Sequence, residues 1–169
     1  MIFLDESGAK TNLTRLRGRA PKGQRVHAAV PGGQWHTTTM IGALRWDGST
    51  ACMSLEGATD TQVFDAYVRQ VLLPTLKPGD ILIMDNLSPH KNEPILQVLA
   101  QAGVEVSFLP AYSPDLNPIE KMWSKIKALL RSAEARTPAD LAQAIGQALG
   151  RITRQDAINW FAHCGYSFI

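Results

Sequence analysis

Cysteine is scarce in this chain of 169 residues: Cys52 and Cys164 stand far apart, with no Cys or His at ligand spacing. That excludes a disulfide framework and a zinc site, and it fits reduced thiols in a cytosolic protein. No apolar run approaches the roughly 20 residues needed to cross a bilayer, so no membrane role is expected. Met1 leads at once into a strand-like segment, which leaves no signal peptide ahead of the fold. There are no internal repeats and no low-complexity tract. The remaining composition, 45% hydrophobic and 19% charged, is that of an ordinary globular protein. The length suits one domain, residues 1–169, with a substantial core.

Acidic residues are also missing from one long stretch. Between Ser7 and Trp46 there is no Asp or Glu, whereas Lys10, Arg15, Arg17, Arg19, Lys22, Arg25 and Arg45 all fall there. Charge alone favours a solvated, flexible loop. A basic loop beside a cluster of carboxylates reads differently, because phosphates must be drawn to a site that is itself negative. The net charge of +2 says little about partners.

The hydrophobic pattern predicts a buried strand over 1–7, irregular chain over 10–22, and a short strand over 25–30 closed by Pro31-Gly32-Gly33. Two strands, 37–46 and 49–55, flank Asp47-Gly48 as a hairpin. Asp60 is placed to cap a helix running to about Leu73, with Val63, Phe64, Tyr67, Val68 and Val71 on its apolar face. A second unbroken apolar run, Ile81–Met84, is too short for a helix and reads as a strand buried on both faces. A helix over 94–102 and a strand over 104–109 follow. Asn117-Pro118-Ile119-Glu120 opens a helix with Asn at N-cap, Pro at N1 and Glu at N3. Helices starting at Thr137 and Thr153 complete the chain. The expected fold class is α/β: a mixed sheet of about five strands flanked by helices, an order shared with the ribonuclease-H-like fold.

Two aspartates, Asp5 and Asp85, follow the two unbroken runs, and open α/β sheets tend to place ligands at the carboxyl ends of such strands. If the strands are neighbours, the carboxylates lie side by side. Glu120 enters from the first turn of a helix behind a loop, 110–118, that holds three prolines. Taken singly, Glu120 reads as the acidic half of a capping box with Asn117, and the aspartates as turn residues. Taken together, three carboxylates repel one another, and divalent cations offset the repulsion. Mg²⁺ prefers oxygen ligands, and a pair of such ions can activate a nucleophile and steady a leaving oxygen in phosphodiester chemistry.

Between Asp85 and Glu120 lie 34 residues, and the segments FLDESG, ILIMDNLSPHK and FLPAYSPDLNPIEKMWSKIK surround the three carboxylates. These segments resemble the three catalytic blocks of the DDE transposases of the mariner superfamily, in particular its bacterial insertion-sequence branch. The likeness continues through GRAPKGQR, HTTTMIGALRWDG and the closing GYSFI, and LPAYSPDLNPIE is its most specific string. The resemblance implies a single ribonuclease-H-like domain. Asp5, Asp85 and Glu120 would bind two Mg²⁺ ions, with Mn²⁺ as substitute. The implied reaction is cleavage of DNA at a transposon end by metal-activated water, then attack of the freed 3′-hydroxyl on target DNA, usually at a TA step. Asn86, His90 and Asn117 would take supporting roles, facing phosphate or orienting the carboxylates. The basic stretch (Arg15, Arg17, Arg19, Lys22, Arg25) and Lys121, Lys125 and Arg131 on the helix behind Glu120 would contact the DNA backbone; for the helix, a solvated face is an equal alternative. Trp123 and Trp160 read as core residues rather than base-stacking platforms.

Such transposases carry helix-turn-helix domains ahead of the first catalytic Asp, and only four residues precede Asp5. The chain is therefore expected to lack that region, with a separately encoded DNA-binding partner, through a split reading frame, as the preferred explanation. Dimerisation on DNA ends and a cytoplasmic, nucleoid-associated location are implied in the same way. The alternative is a transposase remnant that binds DNA or transposase subunits without catalysis.

Overall fold

The run Ile2-Phe3-Leu4 carries no polar residue on either face, so it can only sit where both faces are covered. The computed structural model, which describes residues 1–167, places it there. Phe168 and Ile169, the end of the GYSFI segment, lie outside the described residues. Strand β1 (Ile2–Lys10) pairs antiparallel with β2 (Thr37–Arg45), which pairs antiparallel with β3 (Thr50–Glu56). On its other side β1 pairs in parallel with β4 (Ile81–Met84), and β4 in parallel with β5 (Glu105–Phe108), giving one sheet in the order β3-β2-β1-β4-β5. The expected mixed five-stranded sheet is thus present, with the two apolar runs adjacent at its centre.

Helices cover both faces. Alternation along β1 sends Phe3 and Ala9 toward α3 (Pro118–Ala133), α4 (Pro138–Leu149) and α5 (Arg154–His163), where they pack with Ile119, Met122, Trp123 and Phe161. Ile2 and Leu4 point the other way, toward α1 (Thr61–Tyr67) and α2 (Glu93–Gln101), and pack with Phe64, Tyr67, Ile95 and Leu99. Phe3 meets Phe161 edge-on with ring centroids 5.3 Å apart, and Tyr166 lies 5.0 Å from Phe3. Trp123 is fully buried, and Trp160 packs against the same core, as the sequence suggested.

The helix starts follow local chemistry. Asp60 accepts from the Val63 amide, and Thr137 caps α4 through the Asp140 amide. At α5, Thr153 and Asp156 form a reciprocal capping box. The helix begun at Asp60 does not run uniformly to Leu73. It widens into a π-helical turn over Val68–Leu72 and ends in a 3-10 turn at Leu73–Thr75, where Pro74 denies the ladder an N–H.

Two expectations fail. No strand forms over 25–30: the segment is irregular and exposed, and no strand of the sheet pairs with it. β1 is longer than its apolar run, because its pairing with β2 continues to Lys10 opposite Thr37. Asp5 therefore sits within a strand rather than at its end.

Candidate active site

Register fixes where the carboxylates fall. Phe3 pairs with Ile83 and Leu4 with Met84, after which β4 stops and β1 continues. Phe3 and Ile83 share the α3 face, so the next residues on that face are Asp5 and Asp85. The chain then leaves β5 through an anchored loop. The Leu109 amide donates to the Met84 carbonyl at 2.8 Å, and the Tyr166 hydroxyl donates to the Leu116 carbonyl at 2.9 Å. That loop delivers Asn117 and, one turn into α3, Glu120. Asp5, Asp85, Asn86, Asn117 and Glu120 all line one cavity of about 400 Å³, walled by residues 109–114.

Asp5 is only 8% exposed. Its Oδ1 accepts from the Glu6 amide at 2.8 Å, and the Asn117 Nδ2 donates to its Oδ2 at 3.5 Å. Burial, outweighing the Glu6 amide and reinforced by the negative charges of Glu120 and Asp85, pushes the Asp5 carboxyl up to about 7. Asp85 shifts the other way. Burial opposes its ionisation, but the His90 ring and the Leu87 amide outweigh that and hold the carboxyl below its ordinary value. The His90 Nδ1 lies 2.6 Å from the Asp85 Oδ1. His90 is fully buried, stacked 4.6 Å from the Phe64 ring, with its Nε2 3.7 Å from a Glu6 carboxylate oxygen, too long for a hydrogen bond. Burial alone would lower the imidazole, yet Asp85 and Glu6 together raise it to about 9. The site rim therefore holds a charged pair, Asp85 with His90, beside a carboxyl that resists ionisation.

Asn117 departs from the sequence expectation. It precedes α3, but its side chain makes no capping hydrogen bond. The amide turns toward Asp5 instead, and its Oδ1 is buried without a partner. With no capping box to occupy it, Glu120 is exposed at the cavity wall. Glu6, beneath His90, was not singled out in the sequence. The only signal was its place after Asp5, which alternation sends to the opposite face of β1.

The expected cations distribute differently. Arg15, Arg17, Arg19, Lys22 and Arg25 are exposed on the irregular chain between β1 and β2, and none lines the cavity. Arg136 fastens the start of that segment by donating to the carbonyls of Thr11 and Leu13, and Arg15 lies 3.8 Å from Glu134. Lys125 does not face the cavity: its Nζ is 2.5 Å from Asp156 and donates to the Arg151 carbonyl, tying α3 to α5. Lys121 and Arg131 are half-buried on α3 and are also absent from the cavity wall.

The donors facing the cavity are all oxygen, the preference of a hard cation rather than of zinc. The buried, unpartnered Asn117 Oδ1 beside a carboxyl short of positive charge fits such a cation. Among the described residues no three His, Cys, Asp or Glu side chains converge closely enough to hold an ion by themselves. A cation there would complete its shell from water or substrate oxygens, as Mg²⁺ commonly does.

The sequence signature of the DDE superfamily endonucleases matches residues 1–142. The chain belongs to this family. Solved structures extend the likeness to the whole fold. The Mos1 transposase paired-end complex with left transposon end aligns with a TM-score of 0.71 at 16% identity, over 95% of this chain and 51% of that one. The Mos1 strand transfer complex aligns with a TM-score of 0.70 at 17% identity, over 99% and 55%. The human histone-lysine N-methyltransferase SETMAR is 50% identical over 42 residues, 25% of this chain and 6% of SETMAR. This DDE-family chain thus spans about half the length of the Mos1 chains it matches and has their ribonuclease-H-like fold. No helix among its described residues is long and apolar enough to cross a membrane.

Proposed function

We propose that this DDE-family chain is a transposase catalytic domain of the mariner superfamily's bacterial insertion-sequence branch, cutting DNA at transposon ends and joining the freed 3′-hydroxyl to a target strand. The observation that carries the reading is the convergence of Asp5, Asp85 and Glu120, from three separate elements, on one cavity. Asp5, Asp85 and Glu120 would hold two Mg²⁺ ions, or Mn²⁺ in their place. When bound, such ions supply Lewis acidity to the attacking and leaving oxygens of a phosphodiester. The likeness to Mos1 complexes with transposon ends supports the choice of DNA as substrate, while a TA target and a dimer on the ends follow from the resemblance of the sequence blocks alone.

The protein's own groups have distinct tasks in this reading. His90 fixes the Asp85 carboxylate through Oδ1 and leaves Oδ2 for the cavity. Asn117 orients Asp5 and offers its free Oδ1 to a cation or its water. Asn86, on the cavity wall, faces the substrate phosphate. The exposed cations Arg15, Arg17, Arg19, Lys22 and Arg25 draw in the DNA backbone independently of sequence, as Lys121 does more weakly. Lys125, ion-paired with Asp156, would add least to that attraction.

The test is plasmid nicking in Mg²⁺ or Mn²⁺, expected for the wild type and lost in Asp5→Ala, Asp85→Ala and Glu120→Ala. Nicking that survives Asp85→Ala refutes the assignment. A second reading, a non-catalytic DNA-binding remnant, draws on the absence of a converged three-residue cation cluster among the described residues. Calorimetric titration with Mn²⁺ separates the two: stoichiometric binding supports the enzyme, and none supports the remnant.

A further inference from the structure

Tyr112 has the most unusual setting of any side chain near the carboxylates. Its backbone lies in the left-handed region at φ 58°, and its side chain is fully exposed, at 102%. Among the described residues only one other non-glycine residue has positive φ. That residue is Glu134, whose conformation ends α3 in the usual manner of a helix C-terminus. Tyr112 ends no helix. A bulky aromatic in this region is strained and persists only where the surroundings over-determine it. They do: the loop is pinned to the Met84 carbonyl at one end and to Tyr166 at the other, with Pro110 and Pro114 restricting the chain between. The strain is therefore used to hold an aromatic ring out in water at the wall of the carboxylate cavity. Leu87, on the neighbouring loop after β4, lines the same cavity and is 50% exposed.

A cavity of about 400 Å³ is on the scale of a small ligand and cannot hold a duplex. If a phosphodiester reaches the carboxylates, the bases attached to it must lie across the wall, where Tyr112 stands. A tyrosine ring offers a rigid, sequence-tolerant stacking face to any nucleobase. We propose that Tyr112, with Leu87 beside it, is a stacking platform that holds the nucleobase next to the scissile phosphate out of its helical stack. The assignment rests on the reading of the carboxylate cavity as a phosphodiester-cutting site, and it adds that the DNA is locally unpaired there. Unstacking a base is least costly where pairing is already lost, so strand ends and mismatches are the preferred substrates.

The experiment measures binding without chemistry. Fluorescence anisotropy in Ca²⁺ compares a labelled 12-nucleotide single strand with a strand of equal length lacking bases, for wild type, Tyr112→Phe and Tyr112→Ala. Tyr112→Ala should weaken binding of the base-bearing strand by about 5- to 150-fold, the range expected from loss of one stacked base. Tyr112→Phe should bind as the wild type does, and the baseless strand should not distinguish the three proteins. Thermal melts of the variants should match the wild type, since the side chain touches nothing when free. Equal losses on both strands would identify a phosphate contact and overturn the platform. A Phe variant as weak as the Ala variant, or an Ala variant indistinguishable from wild type, would overturn it as well. Failure of the wild type to bind either strand would overturn the functional reading itself, and the platform with it.

Discussion

Replacing Asp5 by asparagine should stabilise the metal-free protein, and the gain should depend on pH in a defined way. The folded chain holds the Asp5 carboxyl at about 7 against an ordinary value of 3.8. Between these values the folded state keeps a proton that the unfolded chain has released, so stability falls as pH rises through the window and stays low above it. The full penalty is about 4 kcal/mol at the usual 1.36 kcal/mol per pH unit. Asparagine keeps the shape and the acceptor for the Glu6 amide, while its new N–H₂ replaces the oxygen that accepts from the Asn117 Nδ2, so the Asn117 amide must turn over to present its unpartnered Oδ1. Allowing for imperfect geometry, about 2–4 kcal/mol should be recovered above pH 7, or roughly 5–15 °C in melting temperature for a chain of this size. Thermal melts in EDTA at pH 5, 6, 7 and 8 measure it. The variant should melt well above the wild type at pH 8, and the gap should shrink by about half or more by pH 5, closing fully only below the ordinary carboxyl value of 3.8. A gap of equal size at pH 5 and pH 8 would refute the argument, as would a variant less stable than wild type at pH 8.

Other expectations follow from the same coordinates. Arg45 grips Asp80 with two nitrogens, at 2.5 and 2.7 Å, where both side chains are largely buried. Asp80→Ala leaves that guanidinium uncompensated and should cost about 3–5 kcal/mol in urea unfolding. A cost below about 1 kcal/mol would show that the pair is solvated after all. A methyl group on Gly42 would sit 2.7 Å from the Cys52 Sγ and 2.8 Å from the Trp123 ring. Gly42→Ala should therefore destabilise by about 1–3 kcal/mol through overpacking, and should perturb tryptophan fluorescence. Thr153→Ala removes half of the α5 capping box and should lower stability by about 1 kcal/mol, read from the denaturation midpoint at unchanged slope.

Much of the fold was legible because its central strands are unbroken apolar runs and its helix starts carry explicit signals. Ile81–Met84 and the helices opened by Pro138 and Thr153 form over the residues their sequence implies. Two runs that could only lie mid-sheet left open whether Asp5 and Asp85 are neighbours, and the pairing of β1 with β4 makes them so. What stayed hidden depended on partners remote in sequence. The second half of β1, from Ser7 to Lys10, is a strand only because β2 lies beside it, and no local pattern announces that. Arg25–Val30 has strand-like composition, yet it pairs with no strand of the sheet. Asn117 has every local mark of a cap, yet its amide serves a carboxylate 112 residues away. The role of Glu6 emerges only when the loop after β4 folds His90 beneath the sheet edge.

The parallel pairing of β1 with β4 also governs when the cavity can exist. Its walls come from the fifth residue of the chain, from the end of β4 some eighty residues later, and from the start of α3 beyond that. Closing such distant segments is slow compared with forming the β2–β3 hairpin. On the ribosome, a nascent chain that has already made Asp5 and Asp85 still lacks Asn117 and Glu120, and the face of the sheet that α3 must cover. Synthesis thus works as a safety catch, keeping the three carboxylates apart until the start of α3 has followed β4 out of the ribosome.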